Sequence, residues 1–206
     1  MTASAASNSK SKINVRFIAK VAILGAIAFV LMLIEFPVPF IAPPFYKMDF
    51  SELPVLIGGF AMGPAAAVII EALKIVLNLL YSGTATMFVG EAANFLIGCA
   101  LCVPAALIYK NNRTRKGAVK GLVCGTLSMA LIGVLLNYAV LIPAYGFFFH
   151  LPVEAIVTMG AEIFPFITNK LTFVLACVTP FNLIKGIIVS LVAMLLYKRV
   201  SPLLKK

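Results

Sequence analysis

An amide and an ammonium share one face of a segment that a bilayer should keep apolar. The run Thr179-Pro-Phe-Asn-Leu-Ile-Lys-Gly186 opens an apolar stretch reaching about Leu196, just before Lys198 and Arg199. A lysine inside such a segment costs about 2.5–3.5 kcal/mol on insertion scales, so it needs a partner or a task. Asn182 precedes Lys185 by three residues, which puts both on the same helical face. Together they could grip something polar and flat. Asn78, Glu91, Asn94 and Asn137 also lie in apolar runs, as do Glu71 and Lys74.

Helices must hold these groups, and the composition supplies them. The 206 residues are 62% hydrophobic and 12% charged, with a mean hydropathy of +1.07. A soluble domain has too much surface to cover for that composition, so the chain reads as an all-α integral membrane protein. Net charge is +10, but position explains it. Of 17 basic residues, 13 fall in three clusters: Lys10, Lys12, Arg16 and Lys20; Lys110, Arg113, Arg115, Lys116 and Lys120; Lys198, Arg199, Lys205 and Lys206. Each cluster flanks an apolar segment, as expected of cytoplasmic ends. The runs are short and lack interleaved aromatics, so nucleic acid is not an expected partner; the lipid bilayer is.

Six spans are expected at 13–36, 53–62, 64–80, 88–109, 118–142 and 180–197. They form one membrane domain at 13–200, between a disordered polar tail at 1–12 and a basic cytoplasmic tail at 201–206. Pro37, Pro39, Pro43 and Pro44 punctuate the first loop, and Asp49 or Ser51 could cap the helix after it. Gly63-Pro64 marks a turn, Pro143 ends span five, and Thr179-Pro180 starts span six. The stretch 144–170 is an external loop with a short surface helix near 153–163. Six spans put both termini and all three basic clusters in the cytoplasm. One kinked helix over 53–80 would leave five and spoil that agreement.

On this layout Asn137 lies about 28 Å along span five, at 1.5 Å per residue. Asn182 and Lys185 fall in the first two turns of span six, Glu91 and Asn94 early in span four, and Asn78 late in span three. These groups converge on the outer third of the membrane, as an outward-facing ligand cavity. Other readings stand beside this one. Asn78 and Asn94 could join helices by hydrogen bonds, and Glu91 could neutralise Lys185. Glu71 and Lys74, at i and i+3, suit a self-satisfied pair or a partner contact better than a ligand. His150 is a lone loop histidine.

Much chemistry has no tools here. No phosphate-cradling Gly-x-x-x-x-Gly-Lys-[Ser/Thr], His-Glu-x-x-His or Gly-x-Ser-x-Gly run occurs. No catalytic or metal-ligating residues are assigned, and no cofactor is expected. Cys99, Cys102, Cys124 and Cys177 all lie in apolar segments and read as packing residues. No inverted repeat supports a self-sufficient transporter. A binding subunit that draws energy from partners fits, and Ala22-x-x-x-Ala26 gives span one a surface for close helix approach.

The chain resembles the substrate-binding S components of energy-coupling factor (ECF) vitamin transporters, specifically the riboflavin-specific ones. The resemblance runs from span one onward. It rests on Lys47-Met-Asp-Phe-Ser-Glu-Leu-Pro54 with Gly-Gly-Phe-Ala-Met-Gly-Pro64, on Gly90-Glu-Ala-Ala-Asn-Phe-Leu-Ile-Gly98, and on Pro180-Phe-Asn-Leu-Ile-Lys-Gly186. It implies six helices, a vitamin bound beneath the loop between spans one and two, and a membrane scaffold with two cytoplasmic ATPases. It maps flavin-ring contacts onto Asn137, Asn182 and Lys185, and the scaffold contact onto Ala22 and Ala26. Thr84, Thr86 and the loop at Lys47, Met48 and Asp49 are candidates for holding the ribityl chain. Riboflavin is then a transported ligand, with its phosphate FMN a further one. The competing readings are an S component for thiamine or biotin, and a small membrane enzyme or channel.

Overall fold

The computed structural model describes the backbone of residues 15–205 and the side chains of residues 15–196. The polar tail expected at 1–12 and the side chains of Lys198, Arg199 and the 201–206 tail lie outside the described residues. Helix α1 is Val15–Leu33, α2 Glu52–Met62, α3 Pro64–Ser82 and α4 Val89–Asn111. Helix α5 (Arg115–Leu136) runs through a π-helical turn, Asn137–Leu141, into α6 (Ile142–Phe149). After α7 (Val153–Ala161), α8 (Lys170–Phe173) runs through a second π turn, Val174–Val178, into α9 (Thr179–Lys205). The protein is an all-α membrane protein. Among the described residues, α1, α3, α4 and the continuous segments Arg115–Phe149 and Lys170–Leu196 are long and apolar enough to cross a membrane; α2 is a shorter apolar helix.

The two prolines expected to bound helices do not. Both follow a π turn: Ile142 N–H donates to Asn137 O, and Thr179 N–H to Val174 O. Each bond reaches five residues back, and the wider turn takes up the register that a proline, lacking an N–H and crowding the preceding turn, would otherwise break. Span five therefore continues to Phe149 rather than ending at Pro143. The last helix begins at Lys170, where Asn169 and Thr172 form a capping box, and Thr179 is not its cap. Asn182 and Lys185 accordingly lie about 18 and 22 Å along it, not in its first two turns.

The corner between α2 and α3 sits at Gly63, with φ 100° and ψ 173°. That conformation is essentially reserved for glycine, and Pro64 follows as a preorganised first residue. Helices α4 and α5 pack backbone to backbone. A Cβ on Gly121 would stand 2.7 Å from the Ala105 carbonyl oxygen, and one on Gly125 would collide with that of Leu101.

Two apolar clusters result. One joins Leu24, Leu56, Ile70, Leu101, Leu122 and Ala193, in the half of the bundle nearest the Gly63 corner. The other lies at the opposite end, beneath the loop between α1 and α2. A two-residue ladder closes that loop: β1 (Phe36–Pro37) pairs antiparallel with β2 (Lys47–Met48). Val38, Ala42 and Met48 then press down on Ile142, Ile156 and Phe173.

Candidate ligand-binding site

A cavity of about 260 Å³ lies between the clusters. The helices contribute Asn78 from α3, Glu91 and Asn94 from α4, Asn137 from the first π turn, and Asn182 and Lys185 from α9. Lys47 and Thr86 also line it, so these eight candidates from the sequence share one space. Thr84, Met48 and Asp49 are not in its lining. Thr84 Oγ1 instead accepts from the Thr86 and Phe88 amides. Met48 is buried under the loop.

The three principal candidates are partly engaged already. Asn137 Nδ2 donates to Gly133 O at 2.8 Å, and its Oδ1 accepts from the Tyr46 hydroxyl at 2.5 Å. Asn182 Nδ2 donates to Val178 O at 2.9 Å. These bonds fix each amide's orientation and leave Asn182 its oxygen and one N–H, and Asn137 one N–H and a lone pair. Gly133 is required beside them, since a Cβ there would stand 2.6 Å from Asn182 Nδ2.

Lys185 does not pair with Glu91. Its Nζ lies 2.9 Å from Asp49 Oδ2 and 3.2 Å from Glu52 Oε1. Glu91 accepts from Thr86 Oγ1 at 2.6 Å. Lys74 completes a buried ionic cluster: its Nζ is 2.6 Å from Glu71 Oε1, 3.0 Å from Ser51 Oγ, 3.3 Å from Asn94 Oδ1 and 3.5 Å from Glu52 Oε1. Glu71 and Lys74 are wholly buried and so are turned away from any outside partner. Three acidic groups and two ammoniums from α2, α3, α9 and the loop thus meet within the membrane fold, where removing one leaves its partners short of counter-charge.

The loop groups respond to this field. Burial alone would raise the Asp49 carboxyl, but the ammoniums of Lys185 and Lys74 and the bonds from Ser51 and Lys185 hold it at about 2. Burial pushes the Tyr46 phenol above its ordinary value, so it stays protonated and can donate to Asn137. Asp49 therefore acts as an anchor, tying the loop to α9 from behind the cavity wall.

Sequence reasoning did not single out several lining residues: Phe45, Tyr46, Glu52, Tyr145 and Phe181. Glu52 and Tyr46 stand in or beside the Lys47–Pro54 run, so chain proximity to a quoted motif was the available signal. Phe181 stands in the Pro180–Gly186 run in the same way; for Phe45 and Tyr145 no signal exists, because Phe and Tyr are common along the chain. Ala22 and Ala26 lie on the exposed face of α1, opposite Val21, Leu24, Gly25 and Ala28, which are buried.

Comparison with known proteins agrees in one direction. Residues 16–197 match the family described as the ECF transporter, substrate-specific component. The chain is 39% identical over 202 residues to the riboflavin transporter RibU of Staphylococcus aureus (strain TCH60), covering 97% of this chain and 99% of that one. It is 35% identical over 190 residues to the riboflavin transporter FmnP of Bacillus subtilis (strain 168), covering 92% and 94%. A solved structure of the S component of a bacterial ECF transporter superposes with a TM-score of 0.73 at 38% identity, covering 93% of this chain and 98% of that one.

Proposed function

Because the chain belongs to the ECF transporter family of substrate-specific components, we propose that it is the riboflavin-binding membrane subunit of a vitamin uptake system. The observation that carries this is the convergence of Asn137, Asn182 and Lys185 on one cavity. The pyrimidine edge of the flavin ring presents an N–H between two carbonyls, which amides can complement and a lysine can donate to. Phe45, Tyr145, Phe181 and Leu141 supply apolar and aromatic surface for the rest of the ring. Asn78, Glu91, Asn94, Thr86 and Lys47 are left for the hydroxylated chain. Thr84, Met48 and Asp49 support that wall from outside the lining.

The cavity falls just under the usual ligand-pocket range of about 300–1,000 Å³, and Tyr46 is placed to give way as the ligand enters. Riboflavin is cargo rather than a resident cofactor, and FMN is a second ligand of the same site. Six spans, with α2 the short one, put both termini and the basic clusters in the cytoplasm and open the cavity outward. The Ala22 and Ala26 face of α1 meets a membrane scaffold subunit, and two ATPases supply the energy for which this chain has no nucleotide motif. The family is one of transporters, so no catalysis is assigned to the chain.

Purification in detergent and an absorbance scan over about 350–500 nm test this reading. A flavin spectrum released on denaturation in proportion to protein is expected, as is quenching of added riboflavin fluorescence. Asn182→Ala should weaken that binding at least tenfold with the fold intact, by loss of hydrogen bonds to the ring. A colourless protein that fails to quench riboflavin would sink the reading and turn the search to thiamine or biotin.

A further inference from the structure

We propose that Glu52 contacts the ligand directly: its Oε2 accepts a hydrogen bond from a ligand N–H, so that Glu52 and Lys185 together read a cyclic imide edge. The inference rests on the flavin reading and adds to it the residue that demands a donor from the ring.

Glu52 lines the cavity yet is only 1% exposed. Its Oε1 is held by Lys185 at 3.2 Å and Lys74 at 3.5 Å. Its Oε2 is buried and has no hydrogen-bond partner among the described residues. A buried carboxylate oxygen without a donor carries a desolvation cost, and such exceptions ask for a cause. The start of α2 does not provide it, because a first-turn position favours the charge without giving Oε2 an N–H. A ligand does.

The neighbouring lysine defines what kind. An ammonium has three protons. Lys185 donates one to Asp49 Oδ2 and lies in ion-pair contact with Glu52 Oε1, which leaves it at least one N–H for a ligand. Both residues line the cavity, so a turn of the Glu52 carboxyl toward it sets the free oxygen near the Lys185 ammonium, an acceptor and a donor matched by a ligand N–H next to a carbonyl. A carboxylate can only accept, so a ligand with an alkyl group in place of that N–H leaves it unpaired and is rejected.

The test is fluorescence titration of the purified full chain with riboflavin and with 3-methylriboflavin, whose ring N–H is replaced by N–CH₃. Wild type should bind riboflavin at least tenfold more tightly than the methyl analogue. In Glu52→Ala riboflavin should weaken at least tenfold, and the gap between the two ligands should shrink below threefold. A purely structural role for Glu52 would weaken both ligands alike and leave the gap unchanged, which overturns the proposal. So does equal affinity of wild type for the two flavins, which needs no variant. Should Glu52→Ala not fold, Glu52→Gln keeps the shape, and unchanged riboflavin affinity in it is equally fatal. Wild type that binds neither flavin removes the parent reading, and this inference with it.

Discussion

The half of the bundle near the Gly63 corner and the half beneath the 34–51 loop use the same helices to opposite ends. Near the corner, Gly121 and Gly125 let α5 press against the α4 backbone, and Leu56, Leu101 and Leu122 fill what remains. Beneath the loop, the helices part around asparagines, a lysine and two glutamates. In lipid no hydrophobic force draws helices together, so close contact of small residues holds the first half. The second half has given up that contact for a cavity. It is held by the ionic cluster, the Tyr46–Asn137 bond and a lid of apolar side chains. Space for a ligand thus costs packing, which buried charge replaces.

Removing a charge should disturb the hollow half most. Lys185→Ala strands Asp49, leaves Glu52 with Lys74 alone, and should cost about 3–5 kcal/mol of stability as well as ligand affinity. Thermal unfolding in detergent, without ligand, reads the first effect. A midpoint equal to wild type would show that the cluster does not hold this half. In the packed half, Gly125→Val drives a side chain into the Leu101 carbonyl and should cost about 1–3 kcal/mol. Its signature is a lowered midpoint with ligand affinity within twofold of wild type; affinity falling more than stability would mean that the halves are not separable. The smallest effect belongs to Tyr46→Phe, which deletes one hydrogen bond worth about 1 kcal/mol. Exchange of the Ile41, Ala42 and Tyr46 amides should quicken about fivefold, as read by hydrogen exchange; unchanged rates would leave the loop held by apolar contact alone.

The helical character and the Gly63 corner were open to reading because both are local. Apolar runs long enough to cross a bilayer leave little choice, and a glycine followed by proline marks a turn. The polar candidates were visible by contrast, each a costly residue in an apolar run. Where the helices stop was harder. Pro143 and Thr179-Pro180 carry the ordinary marks of helix ends, and the π turns that carry the helices past them have no composition of their own. The depth assigned to Asn182 and Lys185 shifted with that one misplaced start. Partners were harder still. Glu91 and Lys185 share a cavity without pairing, because Asp49 of the loop and Glu52 at the start of α2 arrive first, from 136 and 133 positions away in sequence.

By itself the sequence determined a membrane-embedded helical chain, a set of polar residues that the bilayer would penalise, and, through three ordered motifs, a family. Those follow from transfer energies and local geometry, which each segment carries within itself. Tertiary structure alone decided that Lys74 is spent inside the protein and Lys185 retains a proton to offer. It alone left Glu52 with an idle oxygen and made Tyr46 the present occupant of Asn137. Which donor meets which acceptor depends on distances between segments far apart in the chain, and those are fixed only when the helices pack.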